Sequence, residues 1–182
     1  YQPGIITIIN YAQKFIQAPL AWIQQFTAVL QIKLNNLKGD KREHEIYRSA
    51  SAIAVRLFLL TLFTSFVIFL LRDFIAETLF GLGKMPTEAG SKLSYLIGVL
   101  TFSMPFTAMS LAYMKIFFTQ GYIRQYVTIM LFINVMSCAL YAVSIHCWQE
   151  NGYAFVYILV EMLTTLVIWL YLQKRLKKKE FA

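Results

Sequence analysis

Charge is absent from this chain over distances that few soluble folds could bury. Only Arg56 interrupts the stretch from Ser49 to Leu71, and nothing charged lies between Leu93 and Met114. Three further stretches resemble these. Gly4 to Ile32 is broken only by Lys14, Gln125 to Gln149 carries no formal charge (with His146 neutral), and Asn151 to Gln173 carries only Glu161. A hydrocarbon core of roughly 30 Å takes about 20 helical residues, so each stretch is long enough to cross it with some tilt. Lipid admits only helices or closed barrels. Barrel strands alternate strictly and run to about 10 residues, a pattern these stretches lack, so they are expected to be helices. The expectation is an all-α integral membrane fold in which residues 1–182 form one unit, with five transmembrane helices near 4–32, 49–71, 93–114, 125–149 and 151–173.

Composition closes off other classes. Charged residues make up 14% of the chain, against about 25% in an ordinary soluble domain, which is too little to solvate a soluble surface. The formal charge of +8 could signal nucleic acid, but the basic residues sit between apolar runs, and no nucleic-acid partner is expected. Aromatic content of 16% excludes disorder. Cys138 and Cys147 are nine positions apart, about 13 Å along a helix, too far for a disulfide. His44 and His146 fall in different segments with no ligand spacing around them, so no metal is expected. Gly81-Leu82-Gly83-Lys84 is followed by Met85 where a phosphate loop needs Ser or Thr, and no nucleotide or other cofactor is expected. The first stretch has neither the basic start nor the cleavage site of a signal peptide. Tyr1 is not an initiator Met, and the expectation is that it is an internal residue of a longer protein or the product of processing.

Orientation follows from the basic residues. Lys33, Lys38, Lys41, Arg42 and Arg48, then Lys115 and Arg124, then Lys174, Arg175, Lys177, Lys178 and Lys179 share one side, which holds twelve of the seventeen Lys and Arg. The other side holds Arg72, Lys84 and Lys92. The positive-inside rule places the first side in the cytoplasm, with the start of the chain outside and its end inside. The run Lys174–Lys179 then anchors the last span at the inner leaflet. Trp148, Tyr153, Trp169 and Tyr171 stand near span ends, as interfacial aromatics do.

Polar groups within the spans carry the functional information, because each is costly at its depth. Lys14 and Glu161 lie about ten and about eight or nine residues from the outer starts of their spans. They are expected to be close enough in depth to meet, either as a structural ion pair or in a functional cavity. Arg56 is expected to snorkel. Asn134 could bond a neighbouring helix or a substrate. Ser49, Ala50, Ser51, Ala52 and Ala54 should allow a close helix approach, while Pro19 and Pro105 should bend their spans.

The segment Gly4-Ile-Ile-Thr-Ile-Ile-Asn-Tyr11-Ala12-Gln13-Lys14-Phe15-Ile16-Gln17-Ala18-Pro19 resembles the second helix of the C-terminal lobe of bacterial lipid II flippases. There a Gly is followed by Tyr-Ala, a basic residue and a Pro. Leu79-Phe80-Gly81-Leu82-Gly83-Lys84 resembles the outer loop after the next helix, Asn134 falls where related polysaccharide flippases carry Asn, and Gly152-Tyr153-Ala154 resembles the opening of the last helix of the lobe. The resemblance implies five helices of a six-helix lobe in a two-lobed flippase of the superfamily that also holds multidrug and oligosaccharide-lipid exporters. It implies a polyprenyl-diphosphate-linked sugar as substrate, membrane lipid and the missing N-terminal lobe as partners, and the bacterial inner membrane as location. Lys14 matches the basic residue of the motif and would neutralise diphosphate, with Gln13, Glu161 and Asn134 as further substrate-binding candidates. Gln13 replaces an acid usual in lipid II flippases, Lys14 replaces the more usual Arg, and the Pro expected near Arg124 is absent. These departures shift weight toward polysaccharide precursors.

The function expected is translocation of a lipid-linked oligosaccharide or peptidoglycan precursor by alternating access, with no covalent chemistry. The alternatives are a cation-coupled multidrug exporter, a lipid-phosphate enzyme and a non-transporting scaffold. The enzyme is disfavoured by the dispersal of Asp73, Glu77 and Glu88.

Overall fold

A computed structural model describes residues 5–39, 43–80 and 87–180. The Gly81–Lys84 segment, Gly4, Lys41 and Arg42 lie outside those residues. All regular structure among the described residues is helical: α1 (Ile5–Gly39), α2 (Glu43–Phe80), α3 (Thr87–Leu100), a 3₁₀ turn (Thr101–Ser103), α4 (Met104–Gln120) and α5 (Ile123–Glu180). Four segments are long and apolar enough to cross a membrane: Glu45–Thr78, Glu88–Gln120, Ile123–Trp148 and Asn151–Arg175. The chain is an all-α integral membrane unit.

The first expected span is a 35-residue helix, long enough to cross, but it is not among those four apolar segments. The physical reason is its amide content: Asn10, Gln13, Gln17, Gln24, Gln25 and Gln31 accompany Lys14. Its buried residues, Ile8, Ala12, Ile16, Leu20, Ile23, Thr27, Leu30 and Leu34, recur every three or four positions and form one face. Pro19 lies inside α1 without ending it.

The third expected span proves to be two helices. Pro105 has no N–H to give the carbonyl of Thr101, four residues earlier, and the chain tightens there into a 3₁₀ turn. Thr101 O is satisfied by the Met104 N–H and by the Ser65 hydroxyl of α2, which donates to it across 2.8 Å. Ser103 Oγ donates to Leu100 O at 2.7 Å. In lipid a freed backbone carbonyl must find such a donor. Ser65→Ala is therefore expected to lower the thermal unfolding midpoint of the purified protein in detergent, at a cost of about 1 kcal/mol.

This broken span is the centre of the bundle. More than half of its most apolar window is buried, 56%, against 11% for Ile123–Trp148. α4 packs on α1, α2 and α5. Ala50 and Ala54 are fully buried, so part of the small-residue stripe lets α2 come close, whereas Ala52 faces outward. Gly121 closes α4 in the left-handed region at φ 77°, its N–H reaching Phe117 O and Phe118 O.

The fourth and fifth expected spans form a single run of helical hydrogen bonds, yet that run folds back on itself. Tyr141 and Tyr153 are stacked with ring centroids 5.3 Å apart, while twelve residues of straight helix would separate them by about 18 Å. The two limbs, 123–148 and 151–175, are thus an antiparallel helical hairpin. Gly152 of the second limb lies against Ser144 of the first. A Cβ at this position would lie 2.2 Å from Ser144 O, so the turn requires glycine.

Candidate functional site

α1 carries three faces, and the third defines the site. Opposite neither the core nor the apolar flank of Trp22, Phe26 and Val29, a stripe runs along the helix through Asn10, Lys14, Gln17, Ala21, Gln24, Gln25, Ala28 and Asn35, all of them exposed. Successive residues turn by about 100°, which sets these positions within roughly one third of the circumference. Gln13 and Gln31, half-buried, edge the stripe. From Asn10 to Asn35 it extends about 37 Å. A helix in a bilayer does not present such a face to hydrocarbon, because each amide left without a partner would cost free energy there.

The edge is tied to the bundle at both ends. Gln13 Nε2 donates to the hydroxyl of Tyr153, at the head of the second limb of α5. Gln31 Nε2 donates to Thr119 Oγ1 of α4 at 2.7 Å and to Asn35 Oδ1 at 3.2 Å. Packing between α1 and α5 is otherwise sparse, so the Gln13–Tyr153 bond crosses a seam between them.

Behind the seam stands a column of aromatic hydroxyls. Tyr153 stacks on Tyr141 and approaches Tyr157, whose ring centroid is 6.0 Å away. One turn further along lies Glu161, half-buried, while the Thr107 hydroxyl of α4 donates to Ser103 O at 3.2 Å. Thr165, one more turn on, locks this level of the hairpin to α4: its hydroxyl lies 2.8 Å from Phe106 O and 3.0 Å from Glu161 O.

Two sequence expectations need revision. Lys14 and Glu161 form no ion pair among the described residues; Glu161 is half-buried on the second limb of α5 and Lys14 is exposed on the α1 stripe. Their depths also differ more than the span starts suggested. The Gln13–Tyr153 bond sets Tyr153 level with Gln13, which leaves Glu161 about 10 Å beyond Lys14 along the axis. Tyr153, expected at the interface, turns inward to the seam. Asn134 is exposed on the first limb, and the Tyr141–Tyr153 register brings it level with Glu161. Arg56 is exposed on α2, and Cys138 and Cys147 are free thiols. The spacing Tyr153-Tyr157-Glu161, four and four, put the column on one helical face and was the signal that could have revealed it.

A buried broken helix, a helical hairpin and an amide-lined face that carries a single cation are features of a membrane transport unit, in which polar surface is kept inside the bilayer for a polar passenger. The match to known families agrees with this class. The model of the family described as lipid II flippase MurJ matches residues 1–182, and the chain belongs to that family. No individual curated protein matches the sequence at a significant level.

Proposed function

We propose that this chain forms one wall of the path along which a polyprenyl-diphosphate-linked murein precursor is turned over across the inner membrane. The exposed, amide-rich face of α1 carries this reading. A sugar-diphosphate headgroup needs hydrogen-bond partners over its whole journey, and the stripe supplies amides over about 37 Å with one cation among them. Lys14 neutralises the diphosphate, while Gln13, bonded to Tyr153, holds that part of α1 in register. Asn134 and Glu161 lie on the hairpin, deeper than Lys14, where a headgroup would pass after leaving it. A lysine in the path favours an anionic passenger over the cations typical of drug exporters. Alternating access requires an opposing lobe, which would lie across the stripe. The basic end of the bundle, with Lys33, Lys115, Arg124 and Lys174, faces the cytoplasm. No covalent step is involved.

The proposal is tested by chemical accessibility. In a protein in which Cys138 and Cys147 are replaced by Ser, single cysteines at Gln17 and Gln24 are expected to react with a water-soluble thiol reagent in intact membranes. A cysteine at Phe26, on the apolar flank, is expected to react at least about tenfold more slowly, because thiolate chemistry needs water. Equal protection of all three positions would overturn the reading of the stripe as a wetted path.

A further inference from the structure

We infer that Asn10, Gln13, Lys14 and Gln17 of α1, with the hydroxyl of Tyr153, form a subsite that reads the sugar joined directly to the diphosphate and selects an N-acetylated ring, an inference that rests on the transport reading above. The four α1 residues occupy positions i, i+3, i+4 and i+7, which are neighbours on one face of a helix. They cover about 10 Å of its length. Three amides and one ammonium group share that patch. Asn10, Lys14 and Gln17 are exposed, while Gln13 and Tyr153 are half-buried, so the patch is open on one side and closed on the other by the second limb of α5.

Tyr153 forms the closed edge. Gln13 Nε2 donates to its hydroxyl, which keeps a hydrogen of its own to give, and Gln13 Oε1 keeps its capacity to accept. Stacking on Tyr141, with ring centroids 5.3 Å apart, sets where that hydroxyl stands, so little ordering is left for binding to cost. Chemistry then divides the patch between two parts of one ligand. The ammonium of Lys14 is drawn to the diphosphate, and the ring esterified to it must lie beside the neighbouring amides, because ring and phosphorus share one oxygen. An acetamido group on that ring bonds on two opposite sides, donating through its N–H and accepting through its C=O. Asn10 and Gln17 stand on either side of Gln13 and Lys14 along the axis, and each amide offers a donor and an acceptor. A hydroxyl in place of the acetamido group is too short to engage both sides. Charge at Lys14 thus holds the diphosphate, while the amides and Tyr153 discriminate between rings.

The test measures translocation of fluorescently labelled lipid II in proteoliposomes against two competitors, farnesyl diphosphate carrying N-acetylglucosamine and farnesyl diphosphate carrying glucose, which differ only at the acetamido group. For the native protein the N-acetylglucosamine lipid is expected to inhibit at about tenfold lower concentration, the worth of one to two ordinary hydrogen bonds. Y153F, which keeps the stacked ring and loses only the hydroxyl, and Q13L, which keeps the bulk and loses the amide, are each expected to bring that ratio to about twofold or less. Lys14→Ala is expected to weaken both competitors by the same factor, since both carry the diphosphate. The ratio separates recognition from structure, because a change that merely loosens the seam between α1 and α5 weakens both lipids together and leaves their ratio as it was. Equal inhibition of the native protein by the two lipids, inhibition by neither, or the native ratio retained in Y153F or in Q13L overturns the subsite while leaving the transport reading intact. A native protein that moves no lipid II overturns the transport reading and the subsite with it.

Discussion

Lys14→Ala is expected to cut the rate of lipid II translocation by roughly tenfold to a hundredfold, the equivalent of 1.5–3 kcal/mol for a hydrogen bond to a charged group. The side chain is exposed on the polar face of α1 and makes no ion pair among the described residues, so its loss leaves no buried partner uncompensated. The thermal unfolding midpoint should therefore stay where it is. Lys14→Arg should retain most of the rate, since the charge and the reach to a diphosphate survive. Initial flipping rates in proteoliposomes, measured beside unfolding curves of the same preparations, check both parts. Exchanging Lys14 and Glu161 provides a control for a purely structural pair. Because the two residues are not paired and lie about 10 Å apart in depth, the exchanged protein should be as inactive as K14A. Full transport in the exchanged protein, or a fall in stability that matches the fall in rate for K14A, would refute the assignment.

The second large effect is structural. Gly152→Ala puts a methyl group 2.2 Å from Ser144 O, with the Ser144 carbonyl carbon at 2.6 Å. Neither atom belongs to a flexible side chain, so the two limbs of α5 must part by about an ångström or more for the carbon to fit. The limbs are joined through Tyr141 on Tyr153 and, through Tyr153, to Gln13 of α1. Opening the turn loosens all three at once. The expected cost is about 3 kcal/mol, at the upper end of overpacking penalties, seen as a broadened size-exclusion profile and a lower unfolding midpoint. A native-like profile and midpoint for this variant would mean that the hairpin tolerates a wider turn than its geometry implies. Gly152→Ser should be at least as damaging, since its Oγ adds bulk beyond the same Cβ.

The membrane class and most helices were legible in the sequence because lipid imposes one demand, a long run of residues without charge, and α2, the broken span and both limbs of α5 meet it. The helix boundaries were less legible. α2 continues to Glu43 and Phe80, well past the uncharged core of 49–71, because helix is stabilised beyond the hydrocarbon by its own hydrogen bonds and by packing against α3 and α4. The break at Thr101–Ser103 follows from Pro105, but the sequence alone foresaw a bend within one helix. A separate turn depends on Ser65, thirty-six residues away, for its second hydrogen bond. Lys14 and Glu161 stood out in the sequence because each is costly in a bilayer, and Gln13 only through its place in the motif that carries the resemblance. Their mutual arrangement did not, because depth was counted from the apparent start of each span, whereas the Gln13–Tyr153 contact sets the actual register between α1 and α5. Tyr153 and Tyr157 were hidden by their own chemistry: a tyrosine near a span end fits an interface as well as it fits a hydrogen-bonded seam.

The fold-back in α5 also bears on how the chain is made. A hairpin whose limbs are joined by a turn this tight has little chain between them, which favours insertion of the pair as one body. The basic residues flanking it, Arg124 before the first limb and Lys174 and Arg175 after the second, stand together at its open end. Its closed end, around Trp148 and Asn151, carries Glu150 and no lysine or arginine. Whichever way the hairpin enters a bilayer, the end that joins its limbs is small and nearly uncharged, while its charge is gathered at the other.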